Sequence, residues 1–269
     1  MSGIPLGYME LSLAALLVVL NGGLSIALHL GVERQLAIAT LRMIVQLTLV
    51  GLVLTTLFAL VSPLWTGLAG LAMVLFAGRE VLARQERRLQ GVWAYGLGTG
   101  CMLIAAGLVT VFALTTQVAP EPWYHPRYAI PLLGMVLGNT MTGISLGLHT
   151  LSTGLVRDRV AVEARLALGY TRRAALLPAT RAALKSAFMP IINSMAATGL
   201  VSLPGMMTGQ ILAGADPAQA VKYQILVMFM IAGGTGLGAT AAVLAGGYRL
   251  TDARHRLRLD RLSPAKSNG

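Results

Sequence analysis

Hydrophobic residues in this chain form long continuous runs, and not the alternating or three-to-four-residue stripes that are typical of soluble proteins. Residues 11–30 contain no acidic or basic side chain other than His29, and residues 36–60 contain only Arg42. A hydrocarbon core about 30 Å thick requires roughly 20 helical residues to cross it. We therefore predict an all-α, polytopic transmembrane helical bundle. Its predicted spans, about seven, cover residues 8–30, 36–60, 62–78, 92–116, 128–150, 190–212 and 219–247.

Lysine and arginine are concentrated in alternate segments between these spans. Eighteen of the 21 lie in residues 31–35, 79–91, 151–189 and the stretch after residue 247, whereas the opposite segments hold two. Because basic loops are retained in the cytoplasm, this asymmetry predicts an outside N-terminus and a cytoplasmic C-terminus. We therefore interpret the net charge of +11 as membrane topology and expect no nucleic-acid partner.

The overall composition supports a membrane protein. Hydrophobic residues make up 55% of the chain and charged residues only 12%, whereas soluble domains have about a quarter charged residues. Cys101 is the single cysteine, which excludes a disulfide framework and a thiolate metal cluster. Residues 1–30 contain no Lys or Arg, so we expect no cleaved signal peptide.

The basic segment between the fifth and sixth spans carries signals for two short helices. Asp158 suits an N-cap and Gly169 suits the position just beyond a helix end, which predicts one helix of about ten residues. Thr171 can cap a second short helix, which Pro178 interrupts or restarts. The segment is then either a helix–turn–helix under the membrane or an ordinary solvated basic loop.

Glu163-Ala164, with Gly169 six residues after the glutamate, resembles the EAA loop of ABC-transporter permeases. The chain departs from that pattern at Arg165, where a small residue is usual, and at Leu177-Pro178, which falls about one helical turn early. The resemblance implies that the loop docks on a separate ATPase. The residues it assigns to this coupling are Glu163, Ala164, Gly169, Arg172 and Arg173.

Residues 193–212 and 216–224 resemble the FetB family of ABC permeases, most specifically in the stretch Leu203-Pro-Gly-Met-Met-Thr-Gly-Gln210. Members are described as bacterial iron exporters, with plant relatives implicated in aluminium tolerance. The resemblance extends over nearly the whole chain. It implies a permease subunit for ATP-driven export of metal ions such as iron, in the bacterial inner (plasma) membrane.

The resemblance also implies an assembly. Residues 1–262 would form one permease domain with a coupling loop at 151–189, and 263–269 a disordered tail. Two permeases would pair as a homodimer with two ABC ATPase subunits. The chain has no Gly-Lys-Ser or Gly-Lys-Thr and hence no P-loop, so we expect no catalytic residue and no bound cofactor. ATP and Mg would bind to the partner ATPase.

Pro204 and Gly205 weaken the predicted sixth span. Either the flanking polar residues line a substrate cavity, or the kink packs against a neighbour through Gly205 and Gly209. We place such a cavity between the copies of spans two, five and six. The candidate path residues are Arg42, Gln46, Asn139, Asn193, Thr198, Pro204, Gly205, Met206, Met207 and Gln210.

Arg42 and Gln46 lie one helical turn apart in the second span. An intramembrane arginine indicates a functional site, but an arginine this close to the predicted cytoplasmic end can also extend to the interface. The sequence favours the second interpretation and does not exclude the first.

The identity of any metal stays open at the level of sequence. Thioethers suit Cu(I) and ferric iron prefers oxygen, while packing accounts for most of the methionines. Spans five and six contain Met135, Met141, Met195, Met206 and Met207. His29 and His149 are the weak metal-ligand candidates, because they are lone histidines near the ends of different spans.

Two other functions are open. A stand-alone secondary transporter usually carries intramembrane carboxylates, whereas all ten Asp and Glu lie in loops or near span ends. An intramembrane serine hydrolase would use Ser145 and His149, since residues 143–147 match a nucleophile-elbow pattern. That elbow requires a strand–turn–helix, so we interpret its glycines as a packing surface. Residues 234–239 resemble a dinucleotide loop but follow no strand.

Overall fold

The structure, a computed structural model, describes residues 7–264. Within this range the chain forms an all-α bundle, as predicted. The helices are α1 (Tyr8–Ala27), α2 (Glu33–Leu60), α3 (Pro63–Arg84), α4 (Trp93–Thr116), α5 (Pro126–Arg157), α6 (Arg159–Ala167), α7 (Arg172–Ala197), α8 (Gly205–Leu212) and α9 (Pro217–Arg249).

Six of these helices, α1 to α5 and α9, are long and apolar enough to cross a membrane by length and composition. The prediction of a polytopic helical membrane protein is therefore confirmed. The predicted sixth span, residues 190–212, is not one helix: α7 ends at Ala197 and α8 begins at Gly205. Its two helical pieces are separated by an irregular segment, residues 198–204, which we call the break.

The predicted interruption at Pro178 is wrong. α7 passes through both Pro178 and Pro190 and is 26 residues long, so the second helix of the basic loop is not short. Pro178 is exposed, whereas Ala183 and Ala187 are completely buried. We attribute the continuity of α7 to this packing, which offsets the backbone hydrogen bond that proline removes.

Glycines in α5 and α9 allow the central helices to approach closely. A Cβ at Gly143 would lie 2.7 Å from Cγ2 of Thr235 in α9 and 3.3 Å from the carbonyl oxygen of Ala187 in α7. A Cβ at Gly238 would lie 2.6 Å from Cγ2 of Thr140. Small residues at helix contacts are typical of membrane bundles, where close van der Waals packing drives association. A Cβ at Gly147 would lie 2.8 Å from Cγ2 of Val243, so the interpretation of Gly143 and Gly147 as a packing surface is confirmed.

The α1–α2 hairpin lies beside this compact centre. Nearly all of its apolar side chains are exposed. Leu57 is the one hydrophobic residue of α1 and α2 that is buried. The turn of the hairpin is closed by Ser25, whose Oγ donates to Oε2 of Glu33 at 2.7 Å. The hairpin therefore presents a broad apolar surface that only lipid or another membrane helix can cover.

One end of the bundle is formed by residues 28–32, 85–92, 158–171 and 250–264, and we call it the basic end. These residues carry eight of the 21 Lys and Arg, and the adjoining helix ends carry seven more: Arg34, Arg79, Arg84, Arg157, Arg172, Arg173 and Arg249. There the C-terminal segment is bound to the α3–α4 loop. The backbone N–H of Ser263 donates to the carbonyl of Arg88 at 2.7 Å, and that of Gln90 donates to the carbonyl of Arg261 at 2.8 Å. Ser263, the first residue of the predicted disordered tail, thus has partners, and residues 265–269 lie outside the described range.

Candidate translocation path and docking loop

The break encloses a cavity of about 310 Å³ between α5, α7, α8 and α9, which we call the break cavity. Its polar lining comes from three helices and the break itself, and three methionines complete the wall. The polar residues are Asn139, Ser194, Thr198, Ser202 and Gln224, and the methionines are Met135, Met206 and Met228.

Backbone geometry explains why the helix stops here. Gly199 has a φ of +93°, a left-handed conformation that side chains other than glycine rarely adopt. Its N–H donates to the carbonyl of Ser202 at 2.9 Å, and the N–H groups of Val201 and Ser202 both donate to the carbonyl of Ala197. Pro204 then occupies the N-cap of α8. The chain therefore makes a tight turn at Gly199 and restarts as a helix after Pro204, so the simple kink does not occur.

Gln224 is the most unusual polar group of this cavity. It is only 6% exposed, and its Oε1 has no hydrogen-bond partner. Other polar side chains there are satisfied locally: Oγ1 of Thr198 donates to the carbonyl of Ser194 at 2.7 Å, and Nδ2 of Asn139 donates to the carbonyl of Met135 at 2.9 Å. Leaving a buried acceptor unpaired costs about 1–3 kcal/mol. The amide of Gln224 is therefore available to a cavity occupant.

A second and larger cleft, about 980 Å³, separates α2 from α3 and α5. Arg42 and Gln46 line it from α2, and Gly134 and Gly138 line it from α5. The Nη2 of Arg42 donates to Oε1 of Glu80 in α3, forming an ion pair between the hairpin and the central bundle. Arg42 therefore has a carboxylate partner on a neighbouring helix of the same chain, which neither interpretation from the sequence had anticipated.

The structure brings together only part of the predicted path. Five candidates line the break cavity: Asn139, Thr198, Pro204, Gly205 and Met206. Arg42 and Gln46 line the α2 cleft, on the other side of α5. Asn193, Met207 and Gln210 line neither cavity. Sequence reasoning missed Gln224 and Met228, although an uncharged polar residue in the apolar α9 run was a detectable signal for Gln224.

The metal candidates do not converge. His29 follows α1 in a left-handed turn, whereas His149 lies within α5 with its Nδ1 buried and unpaired. Among residues 7–264 no group of three or more His, Cys, Asp or Glu side chains is placed to hold a metal ion. The polar and sulfur-containing groups that line the break cavity and the α2 cleft are instead neutral amides and hydroxyls, thioethers and the guanidinium of Arg42.

Ser145 and His149 do not have the geometry that a serine hydrolase requires. Ser145 and His149 both lie on the uninterrupted helix α5, and Oγ of Ser145 donates to the carbonyl of Met141 at 2.7 Å. A serine nucleophile needs a base within hydrogen-bond reach, and this hydroxyl is instead bonded to its own helix.

At the basic end, α6 and the start of α7 form the helix–turn–helix that the sequence predicts. Gly169 has a φ of +86° just beyond α6, and Oγ1 of Thr171 accepts a hydrogen bond from the N–H of Ala174 at 3.4 Å. Asp158 occupies the N-cap position of α6, but its side chain binds Arg157 and not the helix. Those hydrogen bonds from the Arg157 guanidinium hold the pKa of Asp158 below its ordinary value.

The five coupling candidates fall into two groups. Glu163 and Ala164 are exposed on α6, where Oε1 of Glu163 accepts a hydrogen bond from Nε of Arg159 at 2.8 Å. Arg172 and Arg173 lie in the first turn of α7 and line a groove against α9. The turn at Gly169 connects the two groups.

Comparison with known proteins is consistent with this architecture. Residues 8–250 match the Uncharacterised protein family (UPF0014). UPF0014 membrane protein YjkA of Bacillus subtilis is 36% identical over 225 residues, which cover 82% of this chain and 86% of the relative. No solved structure matches the chain significantly.

Two further relatives carry descriptive names. Protein ALUMINUM SENSITIVE 3 of Arabidopsis thaliana is 36% identical over 222 residues, covering 82% of this chain and 79% of the relative. The Probable iron export permease protein FetB of Escherichia coli is 30% identical over 248 residues, covering 92% and 93%. With the family match spanning its whole helical bundle, this chain belongs to the UPF0014 family of multi-pass membrane proteins.

Proposed function

We propose that this chain is the permease subunit of an ABC transporter, which pairs with a second copy and exports metal ions such as iron. ATP and Mg bind to a separate ATPase chain in this proposal. The name of the relative FetB supports a membrane permease. The observation that carries the ATPase coupling is the α6–Gly169–α7 helix–turn–helix at the basic end.

Exposed apolar residues make this helix–turn–helix a suitable docking surface. Val160 is 80% exposed and Leu168 is 77% exposed, although both lie outside the predicted spans. Val162 is buried and anchors α6 to the bundle. Apolar side chains that protrude from a polar, charged surface indicate a protein partner. An ATPase that covers them gains their burial in addition to contacts with Glu163.

α7 connects this docking surface directly to the break cavity. It is continuous from Arg172, three residues after Gly169, to Ala197, one residue before Thr198 of the cavity wall. At 1.5 Å per residue its 26 residues form a rod about 39 Å long. Because a packed helix moves as a rigid unit, a displacement of the docking loop would shift the break, which supports coupling of ATP hydrolysis to access.

The lining of the break cavity is suited to weak, reversible binding of a transported cation. Amide and hydroxyl oxygens and thioethers are neutral ligands, and they hold a cation less tightly than carboxylates or thiolates do. Transport requires binding that is favourable enough for entry and weak enough for release. Two copies in a dimer would supply two such sets of ligands.

The decisive experiment measures whether variants of the docking loop still capture an ABC ATPase from the same organism. Gly169→Val strains a left-handed turn by about 1–2 kcal/mol, and Glu163→Lys places a positive charge beside Arg159. We expect both proteins to insert normally and to lose most of the captured ATPase. The matched control is Gly91→Val, which strains another left-handed turn at the basic end with equally open surroundings.

Wild-type capture by both loop variants would remove the basis for ATPase coupling. Equal loss in the Gly91→Val control would show that any strained turn disrupts binding and that the loop is not specific. Stimulation of ATPase activity in the reconstituted complex, measured over several metal ions, then tests the substrate. If iron gives no stimulation and no transport, the metal assignment fails while the coupling result stands.

A further inference from the structure

A groove of about 530 Å³ lies between the first turns of α7 and the last turns of α9. Arg172, Arg173 and Thr180 face it from α7, and Leu244 and Tyr248 face it from α9. It is separate from the break cavity and from the α2 cleft, with which it shares no lining residue. We call it the α7–α9 groove.

The arginines of this groove carry uncompensated charge. Within residues 7–264 neither Arg172 nor Arg173 forms an ion pair, and the same is true of Arg181 and Lys185 further along α7. The guanidinium carbon of Arg172 lies 4.2 Å from the ring centroid of Tyr248, which fixes its position over the groove.

Asp252, which lines a small neighbouring pocket together with Arg172, has other partners. Its oxygens accept hydrogen bonds from the backbone N–H groups of Arg256 and Arg254 and from the Arg256 guanidinium. The hydrogen bond from the Arg256 N–H is the largest of the effects that hold the pKa of Asp252 below its ordinary value. Asp252 therefore stays ionised and committed to the tail, and the groove keeps its positive charge.

The position of the groove matches a membrane surface. Leu244 is 49% exposed and Tyr248 is 64% exposed, one turn apart at the end of α9. Gly246, between them, packs beside Leu148 and Leu151 of α5, close to residues 150 and 247, where the predicted spans end. A tyrosine at this level is typical of the headgroup layer. At this depth the exposed groove residues Leu177 and Leu244 face hydrocarbon, while Arg172 and Arg173 lie at the level of lipid phosphates.

We propose that the α7–α9 groove binds an anionic phospholipid. Arg172 and Arg173 hold its phosphate, and its acyl chains lie along Leu177 and Leu244. A free phosphate could also bind to the arginines, but it would leave the exposed leucines beside them uncovered. A basic pocket between helices at a membrane surface is a recognised form of lipid site. The inference does not depend on the ATPase, because the groove belongs to the permease alone.

The test is lipid retention by the purified permease without an ATPase, measured by native mass spectrometry. The protein is titrated with phosphatidylglycerol or with phosphatidylcholine of the same acyl chains. We expect the wild type to prefer phosphatidylglycerol. In the double variant Arg172→Gln, Arg173→Gln, the ratio of its affinities for phosphatidylglycerol and phosphatidylcholine should fall about thirtyfold. The matched control, Arg34→Gln, Arg254→Gln, removes the same charge from exposed positions outside the groove and should keep the preference.

Several outcomes would overturn the proposal. Equal binding of the two lipids by the wild type, or equal loss in the control variant, would show that no specific lipid site exists. Displacement of phosphatidylglycerol by inorganic phosphate or glycerol 3-phosphate at equal concentration would assign the groove to a soluble anion. If the groove variant keeps its lipid preference but no longer captures the ATPase, the arginines belong to the partner interface. Melting temperatures of both double variants should equal that of the wild type.

A further variant, Leu244→Gln, keeps both arginines and tests the acyl-chain contact. It should weaken retention of long-chain lipid, and unchanged retention would contradict the placement of acyl chains in the groove.

Discussion

Glycine residues have two different tasks in this protein, and the structure separates them. Gly143 and Gly238 lie at helix contacts where a methyl group has no room. Gly169 and Gly199 have open surroundings, but their φ angles of +86° and +93° lie in the left-handed region. The first pair therefore determines how closely the helices pack, and the second pair determines where helices end.

Gly143→Ala should destabilise the bundle. The new methyl group would lie 2.7 Å from Thr235 and 3.3 Å from a backbone oxygen, so α7 and α9 have to move. Overpacking of this kind costs about 1–3 kcal/mol. We expect a lower melting temperature in detergent than for Gly154→Ala on the same helix, where a Cβ meets nothing within 4 Å. Equal melting temperatures would contradict the close contact of α5 with its neighbours.

At the scale of elements, the main feature is the discontinuous sixth span. α7 reaches from the docking loop to the break, α8 follows after Pro204, and α5 and α9 close the cavity around them. The position of the break depends on Gly199 more than on Pro204, because Pro204 is already the N-cap of a new helix.

Gly199→Val should disturb the break cavity while Gly209→Ala should not. A β-branched residue in the left-handed region costs about 1–2 kcal/mol, whereas Gly209 lies inside α8, outside the cavity lining, with nothing within 4 Å of its Cβ. The measurements are transport in proteoliposomes and labelling of Thr198→Cys by a water-soluble maleimide, with Cys101 replaced by serine. We expect Thr198→Cys to react, and Gly199→Val to change both its labelling rate and transport. No reaction of Thr198→Cys would mean that the cavity is dry, and unchanged transport would mean that its geometry is not needed.

At the scale of the whole molecule, one end of the bundle is basic and tied together. The C-terminal segment binds the α3–α4 loop through Ser263 and Gln90, and the N–H of Arg172 donates to Nδ1 of His255 at 3.2 Å. The docking loop, the α7–α9 groove and the tail therefore lie on one face, which the distribution of Lys and Arg predicts to be cytoplasmic.

A C-terminal fusion tests this orientation. Green fluorescent protein fused after residue 269 should fluoresce, because it folds in the cytoplasm, and alkaline phosphatase at the same position should be inactive. A phosphatase fusion in the α4–α5 segment, after Pro120, is the opposite control and should be active. The reverse pattern would place the docking loop outside the cell and contradict the proposed coupling to an ATPase.

Patterns local in sequence predicted the local features of this protein. Long apolar runs predicted the membrane helices because span length follows from bilayer thickness. The spacing of Gly169 and Thr171 predicted the turn between α6 and α7, because helix ends depend on capping and on φ at single residues. Pro178 misled the same reasoning, since tertiary packing of Ala183 and Ala187 keeps α7 intact.

The candidate site was predictable only in part. Of the polar residues around Pro204, Ser194, Thr198 and Ser202 line the break cavity, whereas Asn193 and Gln210 do not. Its other polar wall residues are Asn139 in α5 and Gln224 in α9. The ion pair of Arg42 with Glu80 joins residues 38 apart in the chain. Which side chains meet across helices depends on helix rotation and crossing, which are set by the packing of small residues. The amino-acid sequence by itself thus determined the membrane class, the helical spans and the basic loop, because these depend on local hydrophobicity and capping. Only the tertiary structure decided that α5 separates the α2 cleft from the break cavity, because that depends on contacts between distant helices.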